Sequence, residues 1–109
     1  MNNEWTAIIK ALRAEAELGL REASRKMGIS APYLQDLERG DRAPSRPAVE
    51  RFIKAYKLDA RAKRLMYDAV AKVNKCLPYD VEDYLIDNPS ALQEIINKMN
   101  EEHLFMGGR

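Results

Sequence analysis

The chain has 109 residues, 46% hydrophobic and 32% charged, enough for one modest core and too few for a large catalytic cleft beside it. No apolar run approaches the roughly 18 to 20 residues a bilayer span requires, and Met1-Asn2-Asn3-Glu4 lacks the basic and apolar stretches of a secretory leader, so a cytoplasmic protein with no membrane partner is expected. The net charge of +1 hides a polarity: residues 10–64 hold 14 Lys/Arg against 8 Asp/Glu, whereas residues 65–109 hold 4 against 8. Such an asymmetry suits a half that faces a polyanion and a half kept away from it. Cys76 is the single cysteine and His103 the single histidine, so neither an internal disulfide nor a metal cluster is expected, and no cofactor is called for.

Gly and Pro fall at single breaks or in clusters and cut the chain into helical pieces, with no alternating β-branched run to compete. A first helix is predicted over residues 4–17, with Trp5, Ile8, Ile9, Leu12 and Ala16 in one apolar stripe and Gly19 ending the segment. A short second helix spans 20–27, and Gly28 stands where a positive φ is needed. Ser30 reads as an N-cap accepting the Tyr33 N–H, with Pro32 harmless in the first turn, and this third helix ends at Gly40. After the loop Asp41-Arg42-Ala43-Pro44, Ser45 caps a fourth helix carrying Val49, Phe52, Ile53 and Tyr56 on one side. Asp59 caps a fifth, which runs to about Asn74 with Ala62, Leu65, Met66, Ala69, Val70 and Val73 facing inward. The aromatic residues Trp5, Phe52 and Tyr56, with Met27 and Met66, fit their stripes as core.

Cys76-Leu77-Pro78-Tyr79 is the linker candidate, dividing a domain over 1–75 from an acidic extension over 76–109. Two helices are predicted in the extension. One covers 80–87; the other runs from Pro89 to about His103, entered through Asn88-Pro89 or through the capping-box pattern Ser90-Ala91-Leu92-Gln93. The tail Gly107-Gly108-Arg109 is expected to be loose.

Between Leu20 and Arg39, Ala23, Met27, Ile29, Leu34 and Leu37 face inward, Ser24 is small where two helices would approach, and Gly28 marks the turn. Two steeply crossed helices need this pattern, since bulk at position 24 would drive them apart and a side chain at 28 would strain the turn. Here the sequence resembles the Cro/repressor helix-turn-helix family, also called the xenobiotic-response-element (XRE) family. The matching residues are Leu12-Arg13, Leu18-Gly19-Leu20-Arg21-Glu22, Lys26-Met27-Gly28-Ile29-Ser30, Tyr33-Leu34 and Leu37-Glu38-Arg39-Gly40, then Pro44 and the helix from Val49 to Tyr56. They span roughly residues 6–74. The stretch with Leu77-Pro78-Tyr79-Asp80-Val81, Tyr84-Leu85 and Asp87-Asn88-Pro89 is similar to a C-terminal extension on some bacterial and mobile-element members.

The resemblance implies an all-α fold: a five-helix repressor-like DNA-binding domain containing a helix-turn-helix, plus one or two C-terminal helices. It implies that the N-terminal part of the motif's second helix enters the major groove, whose donors, acceptors and methyl groups distinguish base pairs. Carried over by position, the base-contacting residues are Ser30, Ala31, Pro32, Tyr33 and Asp36. That set lacks Arg, Asn and Gln, so readout is expected to rest on thymine methyls, the Tyr33 ring or hydroxyl and a cytosine amino group at Asp36, with added weight on groove shape. The phosphate-contacting residues are Arg13, Arg21, Arg25, Lys26, Arg39, Arg42 and Arg46. The family pattern also pairs Arg13 with Glu38 and thereby fixes the second helix of the motif.

The expectation is therefore a transcriptional repressor that binds a palindromic double-stranded DNA operator as a homodimer, its acidic part dimerising or docking an inducer protein. The alternative is an antitoxin or protein-interaction module whose helix-turn-helix autoregulates while the C-terminal part holds a toxin or other partner. No nucleophile, paired carboxylate or phosphate loop suggests an enzyme.

Overall fold

The computed structural model describes the backbone of residues 3–105 and the side chains of residues 3–102. Within that span the chain forms seven helices and no strand: α1 (Glu4–Glu15), α2 (Leu20–Met27), α3 (Ala31–Arg39), α4 (Arg46–Ala55), α5 (Ala60–Asn74), α6 (Tyr79–Asp87) and α7 (Pro89–Phe105). The chain divides into two compact units, Met1–Pro78 and Tyr79–Arg109, so the division falls inside the Cys76–Tyr79 segment. The tail at Gly107–Arg109 lies outside the described residues, as does the His103 side chain.

Polar side chains set the helix starts of the first unit. Ser30 Oγ accepts the Tyr33 N–H at 3.2 Å, Ser45 Oγ accepts the Ala48 N–H at 3.3 Å, and Asp59 Oδ1 accepts the Ala62 N–H at 2.8 Å, each satisfying a donor that the first helical turn leaves without a partner. Sequence reading passed over a fourth cap. Asn3 Oδ1 accepts the Thr6 N–H at 2.9 Å while the Asn3 N–H donates to Thr6 Oγ1 at 3.0 Å, a reciprocal box that buries Thr6 beside Trp5.

The first helix ends two residues earlier than the spacing predicts. Ala16 is its C-cap and Glu17 takes the left-handed turn, at φ 54°. Gly19 is instead the extended N-cap of α2, its N–H held by Glu22 Oε1 at 3.1 Å. The stripe narrows accordingly: Trp5 and Ile9 are buried, Ile8 and Leu12 half-buried, and Ala16 exposed.

The core of the first unit draws on all five of its helices: Trp5 and Ile9 from α1, Ala23 and Met27 from α2, Leu34 and Leu37 from α3, Ala48, Val49 and Phe52 from α4, and Met66, Ala69 and Val70 from α5. Trp5 meets Phe52 edge to face with centroids 5.2 Å apart, and Phe52 stacks on Tyr56 at 6.3 Å, both within the range where aromatic geometry adds to area burial. Leu65 departs from expectation. It is 57% exposed, because the neighbours of α5 cover only the strip of Met66, Ala69 and Val70, leaving Ala62 and Val73 half-buried at its margins.

In the second unit α6 packs on α7. Helix α7 opens at Pro89, with the Asn88 carbonyl accepting from Ala91 and Leu92, so the chain starts this helix through Asn88-Pro89 and not through the Ser90 capping-box pattern. None of residues 79–102 is buried.

Candidate nucleic-acid interface

Helices α2 and α3 and the three-residue link Gly28-Ile29-Ser30 form the motif. Gly28 adopts φ 72° and ends α2, a conformation costly to any residue with a Cβ. Ser24 is buried and returns its hydroxyl to the Arg21 carbonyl at 2.8 Å, so no polar atom is stranded where the helices meet. Leu34 and Leu37 of α3 are inaccessible to solvent and clamp one face of the helix to the core.

The other face is open. Ser30 and Pro32 are exposed, and Ala31, Tyr33 and Asp36 are half-buried; four of these five residues expected to meet bases run from the Ser30 cap through the first turn of α3, and Asp36 follows one turn on. Tyr33 is supported from behind: the Arg42 guanidinium lies 5.3 Å from its ring centroid, a cation–π arrangement, and its hydroxyl is 3.5 Å from Ser45 Oγ, at the limit of hydrogen-bond reach. The Asp36 carbonyl accepts from Gly40, Asp41 and, at 3.4 Å, Arg42, and these contacts fold the following loop against the end of α3. Pro44 is buried, its carbonyl bound by Asn74 Nδ2 at 2.8 Å.

Arg13 and Glu38 meet across α1 and α3. Arg13 Nε donates to Glu38 Oε2 at 2.8 Å and Nη2 donates to Oε1 at 2.9 Å, while Nη1 reaches the Leu18 carbonyl at 3.2 Å. This is the bidentate geometry that makes arginine–carboxylate pairs strong. Glu38 is 7% exposed, so the arginine compensates a carboxylate withdrawn from water. The hydrogen bond to Glu38 raises the Arg13 pKa further above its ordinary value, against a smaller opposing effect of burial. Lys10, Leu20, Gln35 and Arg39 surround the pair in a shallow depression.

The seven cations expected to meet phosphates do not form one cluster. Arg13 and Arg39 line the depression at the start of α2, Arg42 lies over Tyr33, and Arg46 opens α4 beside Glu50, 3.8 Å away. Arg21, Arg25 and Lys26 are exposed on α2, the latter two at its C-terminal end. Sequence reading missed Arg51 of α4, whose Nη1 donates to the Met27 carbonyl at 2.9 Å and the Gly28 carbonyl at 3.3 Å. No local pattern signals that contact, since the partners stand 24 and 23 residues apart.

A family model described as a helix-turn-helix domain matches residues 7–65, more than half of the chain. Two curated relatives, described as uncharacterized HTH-type transcriptional regulators of Mycobacterium tuberculosis strains CDC 1551 / Oshkosh and ATCC 25618 / H37Rv, are each 33% identical over 54 residues. The match covers 50% of this chain and 39% of each relative, so the chain spans well under two thirds of their length. No solved structure matches it.

Proposed function

This chain belongs to the helix-turn-helix domain family, and we propose that it is a sequence-specific DNA-binding transcriptional regulator, a repressor that reads a palindromic operator as a homodimer. The observation that carries this reading is the uncovered N-terminal end of α3, where Ser30 and Pro32 are exposed beside Tyr33 on a helix whose opposite face is locked by Leu34 and Leu37. A side chain reads a base edge only if it stands free of the fold on a rigid support, and α3 has both properties. Ser30, Ala31, Pro32, Tyr33 and Asp36 then face the groove, with Arg13, Arg21, Arg25, Lys26, Arg39, Arg42 and Arg46 as phosphate partners. A single half-site holds a domain of this size weakly. Two copies reading half-sites about 34 Å apart supply affinity and register together.

Selection from a library of random duplexes tests the proposal. Enrichment of one two-fold symmetric sequence supports it, and a pool as random after selection as before refutes it. A second reading, a partner-binding module such as an antitoxin, draws on the second unit: Tyr84, Ile86, Leu92, Ile95, Ile96 and Met99 are exposed there among acidic residues. Sedimentation of the full chain and of residues 1–78 separates the two. Loss of a dimer on truncation favours the repressor reading, and monomers in both cases with DNA binding retained favour the module.

A further inference from the structure

At the C-terminal end of α2, away from the Arg13–Glu38 pair, a cleft of about 470 Å³ opens between α2 and α4, lined by Arg25, Lys26, Met27, Gly28, Arg51, Lys54 and Ala55. Four of these residues are cations and none is an acid. Arg51 organises the group: its Nη1 is committed to the Met27 and Gly28 carbonyls, while its Nε and Nη2 donate to no described residue. The side chains of Arg25, Lys26 and Lys54 make no hydrogen bond or ion pair with any described residue. Like charges gathered around one opening repel each other and raise the local potential, which an anion relieves.

The position of the cleft decides which anion. Gly28 stands two residues before the Ser30 cap, so the cleft adjoins the exposed end of α3. Its lining is charged, with only Met27, Gly28 and Ala55 uncharged, whereas sites for small organic ligands are mostly apolar. We propose that Arg25, Lys26, Arg51 and Lys54 form a second backbone clamp, taking phosphates of the DNA strand that borders the groove α3 enters. The clamp rests on the proposed function and adds α4 to the surface. It places Arg51 and Lys54 on DNA, and it gives Arg25 and Lys26 a shared phosphate site in place of scattered contacts.

The test is the salt dependence of binding by the full chain to a fluorescent duplex of about 24 base pairs and mixed sequence, between about 50 and 200 mM salt. Each lost phosphate contact lowers the slope of log K against log salt by about 1. The double variant Arg25→Ala, Lys54→Ala should lower the slope by about 2, while Lys57→Ala, Lys63→Ala, which removes equal charge elsewhere in the unit, should lower it by much less. Both positions of the first pair are exposed helical sites, and Lys54→Glu alone provides a second variant if helicity is lost. An equal effect from the two pairs overturns the clamp. So does an unchanged slope in the first pair when Arg42→Ala still lowers it, a result that leaves the proposed function standing. If the unsubstituted chain binds no duplex at low salt, the proposed function fails and the clamp with it. Amide shifts at Gly28 and Lys54 with sodium tripolyphosphate but not with the duplex would also overturn it, assigning the cleft to a free phosphate.

Discussion

A methyl group on Gly28 would stand 2.7 Å from Arg51 Nη1 on a backbone at φ 72°. Two penalties therefore coincide, left-handed backbone strain and a crowded guanidinium, and Gly28→Ala should cost about 1 to 3 kcal/mol in urea unfolding. In an Arg51→Ala background the second penalty disappears, so the cost should fall by about 0.5 kcal/mol or more; identical costs in both backgrounds would show that backbone strain acts alone. Arg13→Ala leaves the Glu38 carboxylate buried without its two charge-assisted donors and should cost about 2 kcal/mol. Removing the exposed Arg64–Asp68 pair should cost at most about 1 kcal/mol. Tyr56 supplies a pH signature. Burial raises its phenol pKa above the ordinary value of 10.0, with Glu38 adding to the effect and Arg13 opposing it. The unfolded chain thus loses this proton first, so its contribution is full below about pH 10 and is lost as pH rises through the folded value. Tyr56→Phe should flatten the alkaline fall in stability, measured as unfolding free energy against pH.

At the scale of the helix, Ser30→Ala removes the acceptor for the Tyr33 N–H and should cost about 1 kcal/mol in thermal or urea unfolding. The same loosening should reach the end of α3 proposed to read bases, so affinity for a selected duplex should fall along with stability. The starts of α3, α4 and α5 were legible in the sequence because a cap is a local device: Ser30, Ser45 and Asp59 each bond a backbone N–H three residues on. Helix ends and stripe widths were less so. Gly19 looked like the terminator of α1, yet Glu17 took the left-handed turn once Gly19 was engaged as the cap of α2. Leu65 fits the apolar period of α5 and is exposed all the same, because periodicity counts apolar residues and says nothing of how wide a strip the neighbouring helices cover. Thr6 fails the apolar count yet is buried, since the Asn3 box satisfies its hydroxyl. The open face of α3 and the Arg13–Glu38 pair followed from the helix-turn-helix resemblance. The Arg51 contact with the end of α2 required coordinates.

Across the whole molecule, every buried residue among those described lies between Trp5 and Val70, so residues 1–78 hold a complete core and should unfold cooperatively when separated from the rest. Charge divides there too: residues 1–78 hold 16 Lys/Arg against 10 Asp/Glu, and residues 79–109 hold 2 against 7. A peptide of residues 79–109 buries none of its described side chains and should show little cooperative melting by circular dichroism, since short helices gain most of their stability from packing. The exposed start of α3 is the surface proposed to meet a duplex. Amide chemical-shift mapping of the full chain with a selected duplex addresses it directly. The largest shifts should fall at residues 30–36, with smaller ones at Arg42 and Arg46. Shifts confined to residues 79–102, with residues 30–36 unmoved at saturation, would contradict it.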